Sequence, residues 1–186
     1  MSDTVIIGID PSLTGLAVAV RAPDGSIEVE RFTSKPLGKS VTARLARYAG
    51  LIERATERAM ILALEHRTGE VLNATVYMEG YSYNSKGSVI ATAEFGGLLR
   101  RTLVDEFGSV TEVAPATLKQ FVCKGKASKT MVIGEIVKRY GVTFATDDEY
   151  DAYALARLGA VVEGLDRPAN GKQAAAAEKV RKSRET

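Results

Sequence analysis

The run Val5-Ile6-Ile7-Gly8-Ile9 contains no polar side chain, and Asp10-Pro11 follows it directly. Alternate residues of a strand face opposite sides of a sheet, so a strand that is apolar throughout has to be covered on both sides. The chain therefore needs a central strand with a layer above it and a layer below. Residues 16–20 and 27–32 read as two more strands, separated by the turn signal Pro23-Asp24-Gly25. In the second of them Ile27, Val29 and Arg31 share a face. These strands form an antiparallel meander.

Helical periodicity begins at Ser40. Val41, Leu45, Tyr48, Ile52, Ala55, Ala59 and Leu62 recur at steps of four and three, which is one continuous apolar stripe. His66-Arg67-Thr68-Gly69 ends it, and His66 has no further role. Residues 76–80 form a fourth strand, 89–107 a second helix stopped by Gly108, and 110–113 a fifth strand. A short helix over 116–121 leads into a basic, glycine-containing loop. Residues 128–140 form a helix closed by Gly141. The last runs to about Gly164 from Thr146-Asp147-Asp148-Glu149, which has the spacing of a capping box. Strands leading into alternating β and α units predict an α/β fold, with a five-stranded mixed sheet and helices on both faces.

A chain of 186 residues suits one domain, assigned to 1–165. Residues 166–186 hold six Lys/Arg against three Asp/Glu and little that is apolar beyond alanine, so they read as a basic, disordered tail. The net charge is only +2, so bulk charge does not announce nucleic-acid binding. The single cysteine, Cys123, excludes an internal disulfide. With no secretion signal and no apolar stretch near the roughly 18–20 residues that span a bilayer, a cytoplasmic protein without membrane contact is expected.

The residues that point to chemistry are acids. Asp10 ends the first buried strand, although Asp before Pro also starts ordinary turns. Glu79 follows Val76-Tyr77-Met78, so it shares a face with Tyr77 at the end of an apolar strand. Asp148 and Asp151 stand three apart at a helix start and so lie on one side of it. Dipole complementation accounts for Asp147 and Asp148 but less well for Asp151, which precedes the buried-looking Ala152-Tyr153-Ala154-Leu155-Ala156. Asp147 competes with Asp148 for a place in the set. Four carboxylates about 5 Å apart repel by roughly 3 kcal/mol per pair at an effective dielectric near 20, or about 20 kcal/mol in all. A domain stable by roughly 5–15 kcal/mol requires protons or cations to relieve that. An all-oxygen set without His or Cys selects Mg²⁺ or Mn²⁺ rather than zinc.

Gly8-Ile9-Asp10-Pro11 with Thr14-Gly15, Met78-Glu79, and Asp148-Glu149-Tyr150-Asp151-Ala152 together resemble the RuvC-like Holliday-junction resolvases of the RNase H-like superfamily. Thr117-Leu118-Lys119-Gln120 and the basic loop ending at Lys129 resemble the segment before that family's third main helix. The likeness covers about residues 5–163. The turn Pro11-Ser12-Leu13-Thr14-Gly15 is shorter than the bacterial pattern, which suggests a divergent, phage-type member. The resemblance implies an RNase H-like fold and catalytic, metal-holding roles for Asp10, Glu79, Asp148 and Asp151. It also implies two Mg²⁺ ions per site with Mn²⁺ as substitute, no organic cofactor, and a homodimer that nicks four-way DNA junctions to leave 5′-phosphates. Positions Ala91, Ala93, Gly96, Gly97 and Leu98 suit close packing either at such an interface or on the protein's own sheet.

Two segments are candidates for DNA contact. Tyr81, Tyr83, Asn84 and Lys86 follow Glu79 directly, and aromatic rings there could stack on unpaired bases. Lys119, Lys124, Lys126 and Lys129 cluster around Gly125 as a phosphate-binding edge. Rival readings keep the fold but change the substrate, to flaps, general branched DNA or RNA, or remove catalysis altogether. The Gly-Ile-Asp-Pro turn also occurs in actin-like ATPases, which need two such domains where this chain has length for one.

Overall fold

The computed structural model describes residues 3–67, 72–80 and 89–185. Its strands are β1 (Val5–Asp10), β2 (Leu16–Arg21), β3 (Ile27–Phe32), β4 (Ala74–Glu79) and β5 (Val110–Val113). They pair in the order β3-β2-β1-β4-β5, so the apolar run is the central strand. The β1–β2 and β2–β3 pairs are antiparallel, whereas β1–β4 and β4–β5 are parallel. The mixed five-stranded sheet is the predicted one.

The helices are α1 (Val41–Glu65), α2 (Val89–Phe107), α3 (Pro115–Val122), α4 (Lys129–Tyr140), α5 (Asp147–Val162) and α6 (Gly171–Arg184). Side-chain alternation divides them between the two faces. Val5, Ile7 and Ile9 of β1 and Val76 and Met78 of β4 pack on α1 and α2, through Leu51, Ile52, Phe95, Leu99 and Leu103. Ile6 and Tyr77 point the opposite way, into a core built from α3, α4, α5 and α6. Burying each such side chain contributes about 1.5–3 kcal/mol.

On this second face α5 lies unusually close to the sheet. A Cβ at Gly8 would stand 2.3 Å from the Ala152 carbonyl oxygen and 2.5 Å from the Ala156 nitrogen. A Cβ at Gly159 would stand 2.5 Å from the Tyr77 ring. Gly8, under Ala152 and Ala156, thus lets helix backbone rest on strand backbone, and Gly159 makes room for the Tyr77 and Ile6 side chains. The contact at Gly8 brings the first turns of α5 over the C-terminal end of β1.

Two expectations are corrected. The 166–186 segment, expected to be disordered, contains α6. Asn170 caps this helix by accepting hydrogen bonds from the Lys172 and Gln173 backbone N–H groups. Gln173, Ala176, Ala177 and Val180 recur at helical spacing and are buried against its neighbours. Alanine has the highest helix propensity and allows close approach, so a segment of low hydropathy still forms a packed helix. The apolar stripe of α1 is also shorter than its sequence period. Burial begins at Tyr48, and Val41 and Leu45 are exposed.

Candidate metal centre

Asp10 and Glu79 reach the same place through strand register. Ile9 pairs with Met78 in the parallel β1–β4 ladder, so Asp10 and Glu79 are the next residues along. Both lie on the α5 side, as Ile6 and Tyr77 do at the same parity. The Asp-Pro turn closes through backbone: the Ser12 N–H donates to the Asp10 carbonyl oxygen, 3.0 Å away. The Asp10 carboxylate is therefore not consumed by the turn. Arg47 of α1 steadies the segment that follows, donating to the Leu13 carbonyl oxygen at 3.0 Å and to Ser34.

The third carboxylate is Asp151, one turn into α5. Carboxylate oxygens of Asp10, Glu79 and Asp151 all lie within 4.8 Å of one another. The acids around them are occupied elsewhere. Glu149 accepts from the Thr146 backbone N–H at 2.8 Å, which is the reach-back half of the expected capping box. Asp147 pairs with Lys129. Asp148 accepts from Arg31 Nε at 2.9 Å. No described cation forms an ion pair with Asp10, Glu79 or Asp151.

Burial and mutual repulsion leave the three acids reluctant to ionise. Asp10 is only 8% exposed. Desolvation, then the charges of Glu79, Asp151 and Asp148, hold its carboxyl well above the usual range. Glu79 is pushed up to about 7, first by desolvation and then by Asp151. Asp151 rises to about 6, chiefly by desolvation. Lys129 and Lys119 act in the opposite direction on Glu79 and Asp151, so both lysines stand within electrostatic reach of the cluster.

Such a cluster must hold protons or a cation. Oxygen donors alone, converging from three elements with one almost fully buried, fit a hard divalent ion such as Mg²⁺ or Mn²⁺. Asp10, Glu79 and Asp151 are thus brought together as expected. Asp148 lies beside them but is turned to Arg31, and Asp147, its competitor, is tied to Lys129. Of the lysines, Lys124, Lys126 and Lys129 are exposed and Lys119 is half-buried. Tyr81, Tyr83, Asn84 and Lys86 lie outside the described residues.

Arg31 was missed as a site residue, although its position signalled it. It is the third member of the Ile27, Val29, Arg31 face, whose other two residues pack on the core beneath α5. Its guanidinium also lies against Gly15, where a Cβ would stand 2.0 Å from Nη2. Gly15 therefore leaves the space through which Arg31 reaches Asp148.

No protein-family model matches the chain, and no curated protein matches it by sequence. Solved structures do match. The RuvC structure from Thermus thermophilus superposes with a TM-score of 0.57 at 20% identity, covering 88% of this chain and 99% of that one. T. thermophilus RuvC in complex with a Holliday junction substrate gives 0.54 at 19% identity, covering 82% and 90%. The yeast mitochondrial Holliday junction resolvase Ydc2 gives 0.51 at 10% identity, covering 97% and 84%. The chain has the α/β, RNase H-like fold of these proteins.

Proposed function

We propose that the chain is a divalent-metal-dependent endonuclease that resolves four-way DNA junctions. The observation that carries this reading is the convergence of Asp10, Glu79 and Asp151 within 4.8 Å, at the strand ends of a RuvC-type fold. That one of the similar structures is a RuvC bound to a Holliday junction supports DNA of this shape as the substrate.

Asp10, Glu79 and Asp151 would hold the ions, with Asp148 as a fourth donor on leaving Arg31. When bound, divalent ions supply activation of a water for in-line attack on phosphorus and charge stabilisation at the departing 3′-oxygen. The chain's residues prepare the place for this. Glu79 retains a proton near neutrality in the metal-free cluster and gives it up when a cation replaces it. Lys119 and Lys129 stand beside the acids as phosphate ligands, and Lys124 and Lys126 extend that edge. Tyr81, Tyr83, Asn84 and Lys86 follow Glu79 in sequence, which places whatever DNA they touch close to the cut. Hydrolysis breaks the phosphorus–O3′ bond and leaves a 5′-phosphate and a 3′-hydroxyl.

Two nicks on opposed strands require two sites, and the exposed side of α2 suits a second copy of the chain. Phe95, Gly96, Leu99 and Leu103 pack inward, whereas Val89, Ile90, Leu98 and Val104 are exposed. On α1, which the Arg44–Glu94 ion pair joins to α2, Val41 and Leu45 are exposed as well. Exposed apolar residues on two neighbouring helices favour burial against a partner.

The test is cleavage of labelled four-way junctions, flaps, plain duplexes and RNA–DNA hybrids with Mg²⁺. Paired, symmetric nicks in the junction are expected. Equal or faster cutting of flaps or hybrids would replace junction resolution with one of those activities.

A further inference from the structure

We propose that α6 is a second DNA-binding element, which takes the phosphate backbone of a duplex arm leading away from the acid cluster. This rests on the nuclease reading and extends it to a part of the chain the chemistry does not use. Helix α6 runs antiparallel to α3. Lys172 lines a shared cavity with Val122 and Cys123, Lys179 Nζ donates to Gln120 Oε1 at 2.6 Å, and Arg184 lies near Thr111 and Glu112. Its inner side is fixed by Gln173, Ala176, Ala177 and Val180.

The basic residues of α6 fall into two groups. Arg181 donates to the Val161 and Val162 carbonyl oxygens, Lys182 pairs with Glu178, and Arg184 pairs with Glu163. Arg181 and Arg184 fasten the helix, whereas the Lys182–Glu178 pair lies within α6. Lys172 and Lys179 are exposed and form no ion pair with a described carboxylate. They are seven residues apart, two helical turns, and so share a face. At 1.5 Å per residue they stand about 10 Å apart, roughly three base-pair rises along a duplex axis. Ala175 lies between them and allows a backbone to approach.

Lys179 contacts the residue next to Lys119, whose charge acts on Glu79 and Asp151. Lys119, Lys124 and Lys126 of the α3 segment and Lys172 and Lys179 of α6 thus form one strip that begins at the cluster. The exposed side of α6 offers lysines, alanines and Glu178, whose charge is met by Arg181 and Lys182, and no large apolar group, which suits a polyanion rather than a protein partner.

The test uses full-length protein in EDTA, where cleavage is prevented, and fluorescence anisotropy on labelled four-way junctions. Arms of about two duplex turns are compared with arms of under one turn. Lys172→Glu/Lys179→Glu is expected to weaken binding to the long-armed junction tenfold or more near 0.15 M salt, and to flatten the log–log salt dependence by about two. The short-armed junction should lose less than threefold, and Lys172→Arg/Lys179→Arg should bind as wild type. Unchanged affinity and slope, or equal losses on both arm lengths, would overturn the proposal and leave α6 as a buttress for α3 and α5. Failure of the nuclease reading would show separately, as absence of Mg²⁺-dependent cleavage of any branched substrate by the wild-type protein.

Discussion

Glu79 and Asp151 carry the clearest consequence of gathering acids in a partly buried place. Their ordinary values, 4.5 and 3.8, rise to about 7 and about 6 in the folded chain. Between those limits the folded state holds more protons than the unfolded state, so stability falls as pH rises across roughly pH 4 to 7. Glu79→Gln removes one such group. The metal-free variant is expected to melt above wild type at pH 8, with the difference vanishing near pH 4; thermal scans at the two pH values check this. A variant that melts below wild type at pH 8 would show that Glu79 is stabilising as it stands. Mg²⁺ binding should also release protons near pH 6.5, seen as a binding heat that varies with the ionisation enthalpy of the buffer. At this scale the sequence was legible where backbone geometry decides. Strand parity placed Glu79 opposite Val76 and Met78, and helix spacing singled out Asp151. It was not legible where side chains choose partners: Arg31 taking Asp148 depends on the space left by Gly15, a tertiary contact that periodicity does not record.

Among the elements, α5 relative to β1 sets the acid cluster. Asp151 meets Asp10 because the helix rests on Gly8, with backbone oxygen and nitrogen where a side chain would stand. Gly8→Ala cannot be absorbed by rotating a side chain, so the helix must lift. Overpacking of this kind costs about 1–3 kcal/mol or more, and denaturant titration should read at least that loss. Because the lifted helix carries Asp151 with it, Mg²⁺ should stabilise the variant less than wild type. Loss of stability with an unchanged Mg²⁺-induced shift would mean that the cluster does not depend on this contact. Sequence periodicity gave the existence and type of α5 and its capping box, whereas a closely packed glycine in a strand reads only as a weak position. The missed helix α6 has a similar cause. Its burial runs through alanines, which low-hydropathy composition presents as solvent-facing chain.

The whole molecule is a sheet with two unlike sides. The α5 side holds the acids, the lysine edge and α6, and the α1–α2 side exposes Ile90, Leu98 and Val104. If a second copy covers the latter, Ile90→Glu/Val104→Glu should give a monomer by light scattering that retains the acid cluster but makes single, unpaired nicks, at least tenfold more slowly. A variant that remains dimeric would move the interface elsewhere. The mixed sheet and its two covered faces were legible from one apolar strand and the alternation that followed, because a strand buried on both sides needs a layer on each; the strand order was not. The division of labour between the faces was not, since it depends on which helix crosses which strand ends. The most direct test of a metal-dependent junction resolvase is the single-turnover cleavage of a labelled four-way junction in Mg²⁺ by wild type and Asp10→Asn, with binding measured in parallel. Wild type should cut opposed strands at symmetric positions to leave 5′-phosphates, and Asp10→Asn should bind the junction within about threefold of wild type while its cleavage falls by at least a factor of about 10³, equivalent to roughly 4 kcal/mol. Substantial Mg²⁺-dependent cleavage by the pure Asp10→Asn protein would contradict the assignment.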